Sequence, residues 1–133
     1  LIEGLYLLEK KLIEVHFGLD KKRMGVKGLR GYSEKIYEDF NLHYMVYQDL
    51  REHGYIVLPG IKFGCEYALY EKGPGIDHSP YLVSVKDLEE NITSTDIVRA
   101  GRLAASVRKK FIIAVPNPKK ERTQYMMFNW FKA

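Results

Sequence analysis

Cysteine is nearly missing from this chain: Cys65 is the only one among 133 residues. No disulfide can close within the chain, and no cluster of thiolates can hold a metal. The default is then a reducing setting, and a cytoplasmic location is expected. Long apolar runs are missing as well. None approaches the about 20 residues of a membrane-spanning helix, so no membrane partner is expected. No secretory signal is visible, and the chain opens on Leu1 rather than Met, which places the expected native N-terminus further upstream. His16, His43, His53 and His78 form no HExxH pair. There is no GxxxxGK[ST] phosphate loop and no Gly-x-Ser-x-Gly elbow. Glu66 and Glu71 are not followed at close spacing by the second acid and lysine of a metal-dependent nuclease. Neither a metal nor a cofactor is expected.

Acid is scarce in the last third. From Val98 onward nine Lys or Arg accompany a single acid, Glu121, whereas the first 97 residues carry 12 bases and 16 acids. A basic C-terminal third suggests an anionic partner, most simply a nucleic acid backbone. A solvated basic face is the plainer alternative.

What is present reads as one domain with a small appendage. Leu1 to Val15 has a short helical pattern, with Leu5, Leu8 and Leu12 on one side. Gly18 to Gly31 is rich in glycine and base and keeps no apolar period. It is expected as a linker, or as a mobile loop that brings Lys21, Lys22 and Arg23 to phosphates. Ser33 is placed as the cap of the longest amphipathic helix, which carries Ile36, Phe40, His43, Tyr47 and Leu50 and is stopped by Gly54. Tyr55 to Leu58 is a short strand ending at Pro59-Gly60. Residues 1–32 are therefore read as the remnant of an N-terminal subdomain with a basic loop, and 33–133 as the main domain.

The centre of the chain is Lys62 to Lys86. Phe63, Cys65, Tyr67 and Leu69 alternate with other residues as in a half-buried strand, and Tyr81, Val83 and Val85 do the same. Gly73-Pro74-Gly75 supplies the turn between them. Thr93 with Asp96 forms a capping-box pattern. The helix behind it is expected to bury Ile97, Ala100, Leu103, Ala104 and Val107 and to end in Arg108-Lys109-Lys110. Phe111 to Val115 reads as a central strand, Pro116 to Arg122 as a polar turn, and Gln124 to Phe131 as the last strand. The class is α/β, with a mixed central sheet flanked by helices.

Taken singly, the candidate site residues have bland explanations. A histidine beside Ser79 in a turn is commonly structural, a lysine suits a helix C-terminus, and a tyrosine at a strand end commonly packs. Their joint placement at one sheet edge is what draws attention to Tyr70, His78 and Lys109. The stretches KFGCEYALYEKGPGIDHSPYLVSV and TSTDIVRAGRLAASVRKKFIIAV, with YMVYQDLREHGYIV before them, resemble the catalytic domain of the archaeal-type tRNA-splicing (tRNA-intron) endonuclease, a fold of restriction-endonuclease type. LIEGLYLLEKKLIEV resembles the end of that family's small N-terminal domain.

The resemblance implies roles. Tyr70 falls on the family's catalytic tyrosine, His78 on its histidine and Lys109 on its lysine. Arg102 falls on an arginine that grips a bulged base. Arg122 lies near the second such arginine, with Gln124 as the other occupant of that position. Lys119 and Lys120 are further expected RNA contacts. The implied activity is metal-independent excision of introns from precursor tRNA at bulge-helix-bulge sites, leaving a 2′,3′-cyclic phosphate and a 5′-hydroxyl. In homomeric relatives an acidic loop between the last two strands enters a neighbouring subunit. Here that loop, Pro116 to Arg122, is basic. The expectation is therefore a catalytic subunit of an α2β2 heterotetramer with a non-catalytic paralogue. Tyr125, Met126, Met127, Phe128, Trp130 and Phe131 would supply an apolar contact between edge strands. A structural subunit of the same assembly, a metal-dependent nuclease of similar fold and a plain RNA-binding module are the alternatives.

Overall fold

A computed structural model describes residues 1–129; Trp130 and Phe131, read above as strand and contact residues, lie outside them. Helix α1 (Ile2–Glu9) turns Leu5, Tyr6 and Leu8 inward, while Leu12 is 69% exposed beyond its end. Strands β1 (Val15–Phe17) and β2 (Lys22–Met24) then pair as a hairpin, with His16 opposite Arg23. Helix α2 (Val26–Ile36) follows directly.

The stretch expected as a linker or a mobile basic loop is thus a hairpin and a helix. Its order comes from packing that an apolar count misses. Leu29 and Ser33, one helical turn apart, are both buried. The Ser33 hydroxyl donates to the Leu29 carbonyl at 2.8 Å, so it is satisfied inside α2 and caps nothing. Gly28 is there for closeness: a Cβ on it would stand 3.1 Å from Met24 Cγ.

Helix α3 (Phe40–Glu52) begins four residues later than its apolar pattern suggested, after Asp39 in the left-handed region at φ 53°. Its buried residues are Phe40, Tyr44, Val46, Tyr47 and Leu50. Tyr44 takes the inward place expected of His43, and Ile36 is left 57% exposed at the end of α2. Gly54, at φ +90°, ends the turn that follows α3.

The remaining strands make one sheet of order β3 (Ile56–Pro59), β4 (Tyr67–Tyr70), β5 (Tyr81–Val85), β6 (Lys110–Asn117) and β7 (Arg122–Phe128). All neighbours are antiparallel except β5 and β6, which are parallel. This is the mixed sheet flanked by helices that the sequence predicted. Strand β4 does not alternate: Tyr67, Ala68 and Leu69 are buried in succession. Both of its faces are covered, and a strand covered on both faces carries apolar residues throughout. Lys62 and Phe63, expected to begin that strand, belong instead to a 3-10 turn, Ile61–Phe63. Gly60 permits it, because a Cβ there would stand 2.5 Å from Cys65 Sγ.

Pro116 lies inside β6 rather than in a turn. The Ala114 carbonyl accepts from Lys86 N at 2.9 Å, so Ala114 and Pro116 turn their backbone groups to the β5 side. Pairing with β5 stops at Ala114, so the missing N–H of Pro116 breaks no ladder bond. The β6–β7 connection is a 3-10 turn at Pro118–Lys120 with Glu121 at φ 50°, and β7 therefore starts at Arg122.

Helix α4 (Ser94–Ser106) has the expected capping box: Thr93 Oγ1 accepts from Asp96 N at 3.1 Å, and Thr93 N donates to Asp96 Oδ2 at 3.2 Å. It buries Ala104 fully and Ala100 and Val107 in part, while Leu103, expected inward, is 40% exposed. The sheet divides the core. Leu5, Leu29, Phe40, Tyr47, Leu69, Val83 and Ala114 pack on the α1–α3 side. Ala68, Leu82, Ala104, Phe111 and Ile113 pack under α4.

Candidate active site

Strand order brings three termini to one end of the sheet. Strand β4 runs antiparallel to β5, and β5 parallel to β6, so the C-terminus of β4 meets the N-termini of β5 and β6. Leu69 pairs with Tyr81, and Tyr81 with Lys110. The residue after Leu69, the residues before Tyr81 and the residue before Lys110 are therefore neighbours. These are Tyr70, His78-Ser79-Pro80 and Lys109. Of these, Tyr70, His78, Ser79 and Lys109 line one open cleft of about 370 Å³, together with Lys62, Phe63, Gly75 and Asp77.

Each side chain is aimed by its local backbone. Tyr70 ends β4 half-buried. His78 is exposed at the end of the 71–77 loop. That loop is fastened by Asp77: Oδ2 accepts from Glu71 N and Lys72 N, each at 3.1 Å, and Oδ1 from Gly73 N at 2.6 Å. Desolvation opposes the Asp77 charge, but the amides of Lys72, Gly73 and Glu71 outweigh it and hold the carboxyl below its usual range. Sequence reading missed Asp77. Its signal was an Asp four residues after a glycine in a turn, where a short carboxylate can reach back to the backbone.

Lys109 leaves α4 through a Schellman turn. Arg108 N donates to Ala105 O at 3.1 Å and Lys109 N to Ala104 O at 2.7 Å, with Arg108 at φ 57°. A left-handed residue here is commonly glycine; arginine adopts it at the junction that swings Lys109 into the cleft. Lys109 Nζ donates to the Ser79 carbonyl, tying α4 to the residue after His78. Burial, and then the charge of Lys62, lower the Lys109 pKa. Its ammonium is thus held where an added negative charge would favour it most. Cys65 has its thiol pushed up to about 11 by burial and by Glu66, which makes it no nucleophile at neutral pH.

The other predicted contacts lie elsewhere. Arg102 is exposed on α4, about two turns before Lys109, and does not line the cleft. Lys119, Lys120 and Arg122 sit at the far end of β6, which by its length is about 25 Å away. Arg122 there shares a shallow pocket with Asp49, Glu52 and Glu121. Lys21, Lys22 and Arg23 belong to the first hairpin, where Arg23 lies 3.5 Å from Glu14. Among the described residues no three His, Cys, Asp or Glu side chains converge as a metal cluster, and no helix is long and apolar enough to cross a membrane.

A tyrosine, a histidine and a lysine thus share a cleft at the end of an α/β sheet, residue types that can take up, give and offset charge. Comparison with known proteins names the family. The family described as tRNA intron endonuclease, catalytic C-terminal domain, matches residues 40–125. The tRNA-splicing endonuclease of Hyperthermus butylicus is 44% identical over 132 residues, which is 99% of this chain and 72% of that protein. Those of Saccharolobus islandicus (strain L.S.2.15) and Saccharolobus solfataricus are 42% and 40% identical over 134 residues, with the same shares covered. The chain belongs to the tRNA intron endonuclease family and is an endonuclease.

Proposed function

We propose that this chain is the catalytic subunit of an endoribonuclease that excises introns from precursor tRNA, cutting at bulge-helix-bulge sites. The observation that carries the reading is the convergence of Tyr70, His78 and Lys109 on one cleft. The names of the relatives, tRNA-splicing endonucleases, support the substrate.

RNA brings its own nucleophile. Tyr70 takes the proton of the 2′-hydroxyl, whose oxygen bonds to the adjacent phosphorus. The bond from phosphorus to the 5′ oxygen breaks, and His78 gives that oxygen a proton. Lys109 offsets the charge that builds on the phosphoryl oxygens. The products are a 2′,3′-cyclic phosphate and a 5′-hydroxyl, and no metal-activated water is called for. Imidazole is the side chain most often used to pass a proton near neutrality, which suits the acid role. Each acid–base group commonly contributes about 10²–10⁴-fold, and positioned charge a similar amount.

Arg102 stacks on an unpaired base in this reading, while Lys119, Lys120, Arg122 and the Lys21-Lys22-Arg23 hairpin meet RNA phosphates on a wider surface. Residues 1–32 are the end of an N-terminal subdomain, docked on the catalytic domain 33–133 through Leu5, Leu8 and Leu29. The assembly is an α2β2 heterotetramer in the cytoplasm. Its support is the basic hairpin Asn117–Arg122: two copies meeting through it would oppose like charges, so the acidic insert comes from a paralogue. Tyr125, Met126 and Met127 on the edge strand β7 are 38%, 46% and 48% exposed and offer it an apolar contact.

The test is cleavage of a bulge-helix-bulge RNA in EDTA, by the chain alone and with a candidate partner, followed by end-group analysis. Cleavage with the partner, giving a downstream 5′-hydroxyl, is expected. A downstream 5′-phosphate, or a strict need for divalent metal, would overturn the mechanism. Full activity of a purified homomer at nanomolar concentration would overturn the assembly.

A further inference from the structure

The cleft holds one more charge than the reaction has used. Lys62 lines it beside Tyr70, His78 and Lys109. It sits on the turn Ile61–Phe63, which is held at both ends: Gly60 N donates to Glu66 O at 3.0 Å, and Cys65 N to Gly60 O at 3.2 Å. Phe63, at the tip of this turn, is approached by two ammonium groups. Lys62 Nζ lies 5.0 Å and Lys109 Nζ 5.4 Å from the ring centre. The ring attracts each of them, but like charges are thereby brought together.

No described ion pair balances these two lysines. Among the described residues neither lysine has a carboxylate within salt-bridge distance. The one acid lining the cleft, Asp77, has both oxygens engaged by the amides of Glu71, Lys72 and Gly73. Two cations side by side with no ion-paired carboxylate raise the energy of the free protein, and an entering anion lowers it. One scissile phosphate satisfies one of them. An RNA strand carries a second phosphate beside the first.

We propose that Lys62 is a phosphate-binding residue of the cleft, gripping the phosphodiester next to the scissile one while Phe63 holds Lys62 and Lys109 on a common platform. This rests on the reading of the cleft as the active site. The neighbouring phosphate bears the same charge before and during bond cleavage. Lys62 therefore aids binding and leaves the chemical step alone.

Two measurements separate this inference from its premise. The first is the affinity of the complete assembly for uncut bulge-helix-bulge RNA, with His78→Ala as the background. The second is single-turnover cleavage at saturating RNA with His78 intact. Lys62→Ala should weaken binding about tenfold and reduce the salt slope of log K by about 0.7–0.9, with the saturated rate within about twofold of wild type. Lys62→Arg should restore most of the affinity, and Lys35→Ala on α2 should change neither quantity. Unchanged affinity and salt slope in Lys62→Ala would overturn the proposal. So would a lost saturated rate with unchanged affinity. Full cleavage by the His78→Ala assembly would strike the active-site reading itself, and it is read in a separate arm.

Discussion

The two faces of the sheet are unequally furnished. One lies under α1, α2 and α3, with Leu5, Phe40, Tyr44, Tyr47, Leu69 and Val83 in a continuous apolar layer. The other lies under α4 alone, whose one fully buried residue is Ala104. A cavity of about 270 Å³ remains between α4 and the sheet, lined by Phe63, Leu82, Ala100, Leu103 and Phe111. Apolar burial stabilises by about 25 cal/mol per Å², so the thick face, with more residues in its core, contributes more of the apolar stabilisation. The proposed chemistry hangs from the thin face and from the strand ends: α4 delivers Lys109, and β4 and β5 deliver Tyr70 and His78. Stability and activity should then be separable by mutation.

The largest effect is expected at His78. The side chain is exposed and contributes little to either core. His78→Ala should lower single-turnover cleavage by about 10²–10⁴-fold and leave thermal unfolding unchanged. Equal rates for mutant and wild type would remove His78 from the reaction. The counterpart on the thick face is Phe40, 2% exposed under α3. Phe40→Ala should cost about 3–5 kcal/mol in denaturant unfolding. Leu82→Ala, on the thin face beside the cavity, should cost less, near the lower end of the about 2–5 kcal/mol range for such changes. A larger loss for Leu82 than for Phe40 would break the contrast between the faces.

The same contrast governs what could be read from sequence. The thin face was legible where a local device acts. The Thr93–Asp96 capping box and the apolar run of β6 are both present. The thick face was legible in α3, whose aromatic period is strong, but not in α2. Only Leu29 and Ser33 of α2 are buried, and a buried serine leaves no apolar mark. In β4 the expected alternation failed because helices cover both sides, a fact of tertiary structure that no single strand records. At the cleft, the convergence of Tyr70, His78 and Lys109 was legible through likeness to a family. The devices that aim them were not: the left-handed Arg108 and the three amides on Asp77 are backbone events.

Asp77 offers a finer test, because it is a positioning residue that touches no reacting atom. Asp77→Ala frees the amides of residues 71–73 and lets His78 wander. Misplacement of about 1 Å can cost about 10²-fold, so a fall in kcat of about 10–100-fold is expected with little change in KM. Asp77→Asn should recover only part, since its one carbonyl oxygen can accept while its NH₂ opposes a third amide. If the two variants lose KM and keep kcat, Asp77 serves RNA binding and not the aim of His78.

The smallest expected effect lies wholly on the thick face, where a histidine and a carboxylate meet. His43 Nε2 lies 3.9 Å from Glu66 Oε1, and Glu66 Oε2 accepts from Val85 N at 2.9 Å. The Glu66 carboxylate beside it raises the His43 pKa above 6.5, against the opposing pull of burial. Burial pushes Glu66 up, yet His43 and the Val85 amide outweigh it and bring its pKa below 4.5. The signs follow from linkage. His43 contributes stability that is full below pH 6.5 and is lost as pH rises through its raised folded pKa. Glu66 contributes stability that is full above pH 4.5 and is lost as pH falls through its lowered folded pKa. The pair is strongest between those limits. Glu66→Gln should therefore flatten the melting temperature against pH on both sides of that window. Cleavage should keep its pH profile, because His43 and Glu66 do not line the cleft. A cleavage profile that moved with Glu66→Gln would couple the thick face to the chemistry and end the separation argued from the two faces.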